Sequence, residues 1–443
     1  MRNTINLTST SRLMLATVLT AASFAGAASA QGLTLHVFGG SSLDTLAPNQ
    51  TPAIQAEVRA AVFDGFLAEH PEVAAIDWDA QGPQADTVQR VLTARLAGQE
   101  MDLIACSANN TNGAYVRRGV VRAITEEIQP FVDNIEPSAL NAFTIRGEVY
   151  GVPITTMSTS AIYYNKTIFA DLGIPAPATY EELVAAVPRL EAAGIIPLLH
   201  QGANSPLWPM WYFETFSQTT EDVMGLATAQ LDGEVPFNGP ESVEAFALIR
   251  QWVDDGILSA DSLAVDADGM RAAFASGRSA MYYGGTWEIS SLQQQVTDFE
   301  WGAFAFPSMP GTVGTPKHGG GADNGICVSA TIAPERLDAA IAFISYLTRP
   351  EVAAIYLEPE SPLATSIVGV AGIDAQYALE LRESAYPNTV KFLDWMWPSE
   401  VTTAVASAIA GVVGDQITPQ QAADTVQAAF DRIVEDGAWP PTD

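Results

Sequence analysis

The first part of the chain alternates short apolar runs with longer segments of helical periodicity. LTLHVF (33–38), AAIDWDA (74–80) and MDLIACS (101–107) are apolar runs of strand length, and residues 54–69 and 86–97 between them repeat apolar positions at helical spacing. Strands that alternate with helices predict a sheet of parallel strands covered by helices. We therefore expect an α/β domain at the start of the chain.

The pattern changes near residue 150. YGVPITTMSTSAIYYNK (150–166) is a long extended run in which Thr and Ser stand among apolar residues, and SAMYYGG (279–285) is a later strand. A further strand with two helices (325–357) repeats the pattern of the first region. We expect two α/β lobes, with a chain that leaves the first lobe, crosses and returns. Ligands of open α/β sheets bind beyond the carboxyl ends of the strands, so facing lobes would form a ligand cleft.

Two local signals predict helix starts. Thr179 is followed three residues later by Glu182, which is the spacing of a capping box. TWEISSLQQQV (286–296) follows a strand and is predicted to be a helix that Thr286 caps.

The first thirty residues have the pattern of a secretory signal peptide. Arg2 and Arg12 supply a positive start, residues 13–25 are apolar, and Ala28-Ser29-Ala30 is a small-x-small cleavage site. We expect cleavage after Ala30 and export to the periplasm. No later apolar run reaches the length of a membrane-spanning helix.

The charge of the sequence excludes two classes of partner. Its 51 acidic and 20 basic residues give a formal net charge of −31. Nucleic acids and anionic membranes attract basic surfaces, so we expect neither as a partner. The acidic excess is best explained by the solubility of an exported protein.

Cys106 and Cys327 are the two cysteines of the chain. Each lies in a short apolar run, DLIACS and GICVSA, which favours buried free thiols. The oxidising compartment implied by the signal peptide leaves a disulfide between them open. Two cysteines and four scattered histidines suggest no metal site.

Four blocks of sequence resemble, in order, the family 1 extracellular solute-binding proteins, which are the sugar receptors of bacterial ABC importers. The blocks are YYNKTIFADLGIPAPATYEELVAA (163–186), FASGRSAMYYGGTWEI (274–289), AIAFISYLTRPEVAA (340–354) and ITPQQAADTVQAAFDRI (417–433). The resemblance runs over essentially all of residues 33–436.

The resemblance implies a two-lobed periplasmic-binding-protein fold, in which each lobe is a mainly parallel sheet flanked by helices and hinge segments cross between the lobes. The expected lobes are 31–152 plus 323–362 and 153–322 plus 363–443. Such a receptor closes on a neutral mono- or oligosaccharide and delivers it to a membrane permease. It is expected to be a monomer without cofactor or catalysis.

Two alternatives remain open at this point. The first is a receptor for a non-sugar polar solute, either a polyol or a cationic compound, which the acidic surface would tolerate. The second is a secreted glycoside hydrolase, whose mechanism needs two carboxylates that face each other across the scissile bond.

Sugars present C–H faces and rings of hydroxyls, so a sugar cleft needs aromatic rings and planar polar side chains. Trp287 is the first candidate, because Gly284 and Gly285 let the backbone come close and a helix N-terminus follows. The resemblance places a sugar-stacking aromatic residue at this position. The further aromatic candidates are Trp208 and Trp211, which share one face of a helix, and Trp395 and Trp397, of which one is expected to form a wall.

Polar candidates follow the predicted strands. Ser41 and Ser42 come after the first strand, Asn109 and Asn110 come after the third, and Ser158, Asp323 and Asn324 stand near the crossings. Relatives often carry charged residues where this chain has the two neutral amides, which fits an uncharged ligand. An Asx turn is the alternative role for the amides, and a surface loop is the alternative for Asp323 and Asn324.

Overall fold

The structure is a computed structural model that describes residues 32–38, 62–79, 87–203, 208–357, 364–370 and 376–439. The predicted signal peptide and the candidates Ser41 and Ser42 lie outside these residues. The predicted helix 54–69 is described from residue 62 onward, where residues 62–69 are helical.

The described strands fall in the order that the apolar runs predict. They are β1 Leu33–Phe38, β2 Val73–Asp79, β3 Leu103–Ser107, β4 Thr144–Ile145, β5 Glu148–Val149, β6 Gly151–Pro153, β7 Ser158–Asn165, β8 Ile196–Leu199, β9 Ser279–Gly285, β10 Trp301–Phe304, β11 His318–Gly321, β12 Asn324–Val328 and β13 Thr389–Val390.

Helices separate these strands. They are α1 62–69, α2 Thr87–Leu96, α3 Ala108–Asn110, α4 Pro137–Asn141, α5 Lys166–Asp171, α6 Tyr180–Ala192, α7 Pro209–Phe216, α8 Val223–Leu231, α9 Pro240–Asp254, α10 Ala267–Ala275, α11 Ile289–Gln295, α12 Pro334–Leu347, α13 Pro350–Leu357, α14 Gln376–Ser384, α15 Ser399–Val413 and α16 Pro419–Glu435. In the described ranges no single helix is long and apolar enough to cross a membrane; α12 and α13, bent by 69° at their junction, meet that test only as a pair.

Two sheets form the framework, as the strand–helix alternation predicts. The first has the order β2-β1-β3-β12-β6, and the second has the order β13-β11-β7-β9-β8 with β10 also paired to β7. We call the first sheet with its helices the first lobe and the second sheet with its helices the second lobe. The predicted α/β two-lobed fold is thereby confirmed.

The prediction that each sheet is mainly parallel is wrong. β1 runs parallel to β2 and β3, but β12 runs antiparallel to both β3 and β6. In the second sheet β7 is antiparallel to β9, β10 and β11. β7 and β12 each begin directly after a crossing between the lobes. Neither strand follows a helical crossover of the kind that parallel neighbours require, so antiparallel pairing results.

The crossings are tied together by hydrogen bonds. Residues 154–157 lead from β6 to β7, and residues 322–323 lead from β11 back to β12. The hydroxyl of Ser366 donates to the carbonyl of Pro153 at 3.1 Å and accepts from the amide of Thr155 at 3.0 Å. Because Ser366 bonds to both Pro153 and Thr155, it fixes the first crossing and with it the positions of Thr155 and Thr156 between the lobes.

One of the two predicted helix starts is confirmed. Thr179 accepts from the amide of Glu182 at 3.2 Å and the Glu182 carboxylate accepts from the amide of Thr179 at 3.2 Å, which completes the capping box. The prediction for Thr286 is wrong: residues Thr286–Glu288 form a 3-10 turn ahead of α11, and the Thr286 hydroxyl accepts from the amide of Thr159 on β7. Because the Thr286 hydroxyl bonds to the neighbouring strand, it does not cap its own helix.

The prediction of free thiols is also wrong. Cys106 and Cys327 form a disulfide, with their Cα atoms 6.0 Å apart. Cys106 lies on β3 and Cys327 on β12, and the antiparallel pairing of these strands brings the two side chains together. The apolar surroundings were correctly inferred, since both cysteines are buried, but burial does not distinguish a thiol from a disulfide.

Candidate ligand-binding cleft

A cavity of about 460 Å³ lies between the lobes, beside the crossings. Thr155, Thr156 and Ser158 of the first crossing and its following strand form part of its wall. Asp323 contributes from the second crossing, and Asn324 contributes from the first residue of β12 in the first lobe. The remaining wall comes from the second lobe, so the cavity exists only where both lobes and the crossings meet.

Three aromatic rings form a continuous wall on the side of the second lobe. Trp287 follows β9, and its ring centroid lies 6.3 Å from that of Phe392. The Phe392 ring in turn packs edge-on against Trp395 at 5.4 Å. Trp287 is 39% exposed whereas Phe392 and Trp395 are buried, so Trp287 presents the free apolar face of the wall.

Two glycines allow these rings to pack directly against the backbone. A methyl group at Gly285 would overlap the six-membered ring of the Trp287 indole, and one at Gly319 would overlap the Phe392 ring. Each ring therefore needs glycine beneath it to occupy its position. The group that packs closely on Gly285 is the indole of Trp287, and contact of a ligand with Gly285 stays a prediction.

An ion pair supports the aromatic turn. Glu288, directly after Trp287, is 1% exposed and accepts from Nε and an Nη of Arg271 at 2.7 and 2.9 Å. The hydrogen bond to Glu288 raises the pKa of Arg271 above its ordinary value. Because both oxygens of Glu288 bind one guanidinium, the geometry of the turn is fixed by a bidentate contact.

Two carboxylates face the cavity beside the aromatic wall. Burial raises the pKa of Asp394 to about 7, and the charge of Asp323 adds to this rise. Burial likewise raises the pKa of Asp323 to about 6. Asn109, from the first lobe, donates from Nδ2 to a carboxylate oxygen of Asp394 at 3.4 Å. The cavity therefore contains two acids whose ionisation is unfavourable without a partner.

Several sequence-predicted residues come together at this cavity. The residues that line it are Trp287, Trp395, Ser158, Asp323 and Asn324. The Ser158 hydroxyl donates to the carbonyl of Gly321 at 2.9 Å. Asn109 reaches the cavity through Asp394, and Gly285 lies under Trp287. Their roles in binding remain predictions.

The structure does not bring Trp208, Trp211 and Trp397 to the cavity wall. All three are buried in the core of the second lobe. Trp208 donates from Nε1 to the carbonyl of Gly202 at 3.0 Å, and Trp211 packs edge-on against Trp252 at 5.3 Å. Trp208 and Trp211 do lie at helical spacing, but α7 is buried on every side, and Met210 is the residue of this segment that lines the cavity.

The backbone of Asn110 has a local structural role. The backbone N–H of Asn110 donates to the hydroxyl of Ser107 at 3.1 Å, so Ser107 caps a short helical turn after β3. Asn110 does not line the cavity.

Sequence reasoning missed four residues that shape the cavity strongly. Asp394 stands directly before the candidate Trp395 and Phe392 three residues before it, so proximity to a predicted aromatic residue was the available signal. Arg271 and Glu288 carried no signal, because they are 17 positions apart on different elements and pair only through the fold.

The comparison with known families decides the identity of the chain. Residues 61–378, more than half of the chain, match the family of bacterial extracellular solute-binding proteins. The chain belongs to this family. Its members are receptors that bind solutes outside the cytoplasm for ABC transporters, and they are not enzymes, so the glycoside-hydrolase alternative is set aside.

Curated relatives match part of this length. A multiple sugar-binding protein of Streptococcus mutans is 27% identical over 292 residues, covering 64% of this chain and 66% of that protein. A probable sugar-binding periplasmic protein of Rhizobium meliloti is 28% identical over 134 residues, covering 29% of this chain and 32% of that protein. The chain thus spans less than two thirds of the length of these relatives.

Solved structures match almost the whole chain. A chitin oligosaccharide binding protein aligns with a TM-score of 0.74 at 21% identity, covering 90% of this chain and 98% of the other. The raffinose complex of a solute-binding protein named RafE aligns with a TM-score of 0.66 at 20% identity, covering 90% and 99%. At these identities the alignments establish the fold alone.

Proposed function

We propose that this protein is the substrate-binding protein of an ABC importer for a carbohydrate, a mono- or oligosaccharide, which it binds in the cavity between its lobes and delivers to the membrane permease. The sequence predicts a neutral carbohydrate. The stacking wall and the hydroxyl and amide groups around it suit the neutral surfaces of a sugar ring.

The observation that carries this proposal is the position of the Trp287 ring, which packs against Gly285 at the cavity wall. Its indole is held on the backbone of Gly285, stands partly exposed, and faces a cavity large enough for a small sugar. An aromatic ring that is partly exposed on the wall of a concave cavity offers a face on which a sugar ring can stack. The names of several relatives and structural neighbours, which describe sugar-binding proteins, agree with this assignment.

A specific observation favours a second candidate, a cationic polar solute. Asp323 and Asp394 both face the cavity, whereas the argument for an uncharged ligand rests on Asn109 and Asn110. Of these two amides, Asn109 contacts Asp394 and Asn110 lies away from the cavity wall. The charge of the ligand is therefore open to a direct test.

The setting of the receptor follows from the same proposal. The protein acts in the periplasm after cleavage behind Ala30, as a monomer that meets the permease subunits. The proposed lobes are 31–152 plus 323–362 and 153–322 plus 363–443. The strands of the first sheet lie within residues 33–153 and 324–328, which agrees with this division except at Pro153, the last residue of β6.

A thermal-shift screen of the mature protein against a carbohydrate library tests the proposal, because a ligand that binds the folded state raises the melting temperature by mass action. The best sugar is then titrated into the wild type, Trp287→Ala and the control Trp439→Ala, a tryptophan that does not line this cavity. We expect Trp287→Ala to weaken binding at least about tenfold and the control to leave it unchanged. Undiminished binding by Trp287→Ala would remove the indole from the site.

A further inference from the structure

The charges around the cavity do not balance. Four charged residues line it: Asp323, Asp394, Glu288 and Arg271. The guanidinium of Arg271 donates to both oxygens of Glu288, and it also donates to Asp268 at 3.3 Å. Two carboxylates therefore face the cavity without a cation of their own among the residues that line it.

The hydrogen bonds of Asp323 are incomplete, and the one that Asn109 donates to Asp394 is long. Oδ1 of Asp323 is buried and has no hydrogen-bond partner among the described residues. Asp394 receives the amide of Asn109 at 3.4 Å, a long contact for an ionised acceptor. A buried acceptor without a donor is unfavourable, so the site is complete only when a ligand supplies donors.

The chemistry of the missing donor follows from the surroundings. A hydroxyl donates one hydrogen bond and carries no charge, whereas an ammonium group donates three and carries the charge that the acids lack. Phe392 and Trp395 flank Asp394 on one short segment, and aromatic faces attract cations. An ammonium group beside Asp394 would therefore be attracted both by the carboxylates and by the aromatic rings.

We infer that the ligand carries a protonated amine, held by Asp323 and Asp394 beside the aromatic wall, and that the carbohydrate of the proposed function is an amino sugar with a free amino group. This inference rests on the proposed function and sharpens its substrate class. The raised pKa values of both acids agree with it, since a nearby cation would restore their ionised forms.

A metal ion fits the same acids less well. No group of three or more His, Cys, Asp or Glu able to hold a metal occurs in the part of the chain that the structure describes. Calcium takes six to eight oxygen ligands, which this pair does not approach.

The test compares sugars that differ only at one nitrogen. Glucosamine, galactosamine, mannosamine and oligomers of glucosamine are titrated into the mature protein by calorimetry, beside their N-acetylated and unsubstituted parents, at neutral pH and fixed ionic strength. We expect the best amino sugar to bind at least about tenfold more tightly than its two neutral parents, because charge-assisted hydrogen bonds are roughly twice as strong as neutral ones.

Isosteric variants assign that preference to the two acids. Asp323→Asn and Asp394→Asn keep the shape of the side chain and remove its charge, so each should reduce the preference for the amino sugar at least about tenfold while changing the neutral parents less. Asp133→Asn is the matched control, an exposed carboxylate that does not line the cavity. It should leave the preference intact, and melting curves check that every variant is folded.

The outcomes separate the two claims. A neutral sugar that binds as tightly as its amino counterpart overturns the inference and leaves the proposed function standing. Retention of the amine preference by both Asn variants overturns the assignment to Asp323 and Asp394. If neither the amino sugars nor their neutral parents bind, the result counts against the inference and the proposed function together.

Discussion

The two lobes present different chemistry to the cavity between them. The first lobe contributes polar groups, Asn324 at the start of β12 and Asn109 after β3. The second lobe contributes the aromatic wall of Trp287, Phe392 and Trp395. A sugar ring has hydroxyls at its edge and C–H groups on its faces, so the second lobe offers a stacking surface for a face, while the first lobe and Asp394 offer polar partners for the edge. Binding to both at once would favour the arrangement in which the lobes approach each other.

The lobes also differ in what stabilises them. The first lobe has a disulfide between β3 and β12, strands that are 221 positions apart in sequence. The second lobe relies on a dense aromatic core in which Trp211, Trp252 and Phe306 contact one another. The difference predicts unequal responses of the two lobes to reduction.

The largest effect is expected from removal of the disulfide. Cys106→Ala with Cys327→Ala should lower the free energy of unfolding by about 2–5 kcal/mol, because the bridge restricts the unfolded chain over a long loop. Denaturant unfolding of the double variant measures this, and the mature protein under reducing conditions is the comparison. An unchanged unfolding midpoint would show that the first lobe does not depend on its bridge.

The aromatic wall should respond to changes in its glycine seats. Gly319→Ala places a methyl group inside the Phe392 ring position, so the ring must move; we expect a stability loss of about 1–3 kcal/mol and weaker sugar binding. Gly239→Ala is the control, since its new methyl would meet its neighbours at 3.3 Å or more. Equal melting temperatures and affinities for the two variants would contradict the seating of Phe392 on Gly319.

The carboxylate pair makes stability depend on pH. The pKa of Asp394 is raised from 3.8 to about 7, so between these values the folded state keeps a proton that the unfolded chain has lost. That contribution is present at low pH and is lost as the pH rises through 7. The charged groups that share the cavity are Asp323 and the Arg271–Glu288 pair.

Asp394→Asn cannot ionise and should gain stability relative to the wild type as the pH rises from about 4 to 8, in the absence of ligand. Paired thermal melts across this range measure the difference. A difference in melting temperature that stays constant with pH would show that Asp394 does not titrate in this window.

The smallest effect is expected at the two neighbouring amides. Asn109→Ala removes a long hydrogen bond to Asp394 and should weaken ligand binding by less than about 1 kcal/mol. Asn110→Ala is the matched control, because its backbone amide makes the bond to Ser107 and its side chain does not line the cavity. Equal calorimetric affinities of the two variants would remove Asn109 from the site.

The sequence predicts the elements of this fold well where local physics decides them. Apolar runs gave β1, β3 and β9 almost to the residue, and the capping box gave the start of α6. The direction of the strands was harder to predict, because the antiparallel pairing of β12 with β3 depends on a crossing between the lobes that no local pattern reveals.

The site was predictable in part for the same reason. Trp287 and Gly285 stand together at a strand end, so their pattern was visible in sequence. Trp208 and Trp211 were not distinguishable from wall residues, because burial of α7 on every side depends on elements far along the chain. Asp394 stands next to the candidate Trp395 in sequence, but its contact with Asn109, 285 positions away, depends on the fold.

The most direct test of the central claim is a crystal structure of the mature protein with its tightest-binding carbohydrate. The account predicts the sugar between the lobes, with one ring face against the Trp287 indole and its polar edge at Asp323 and Asp394. Electron density for the sugar anywhere else, or an indole buried away from it, would contradict the account.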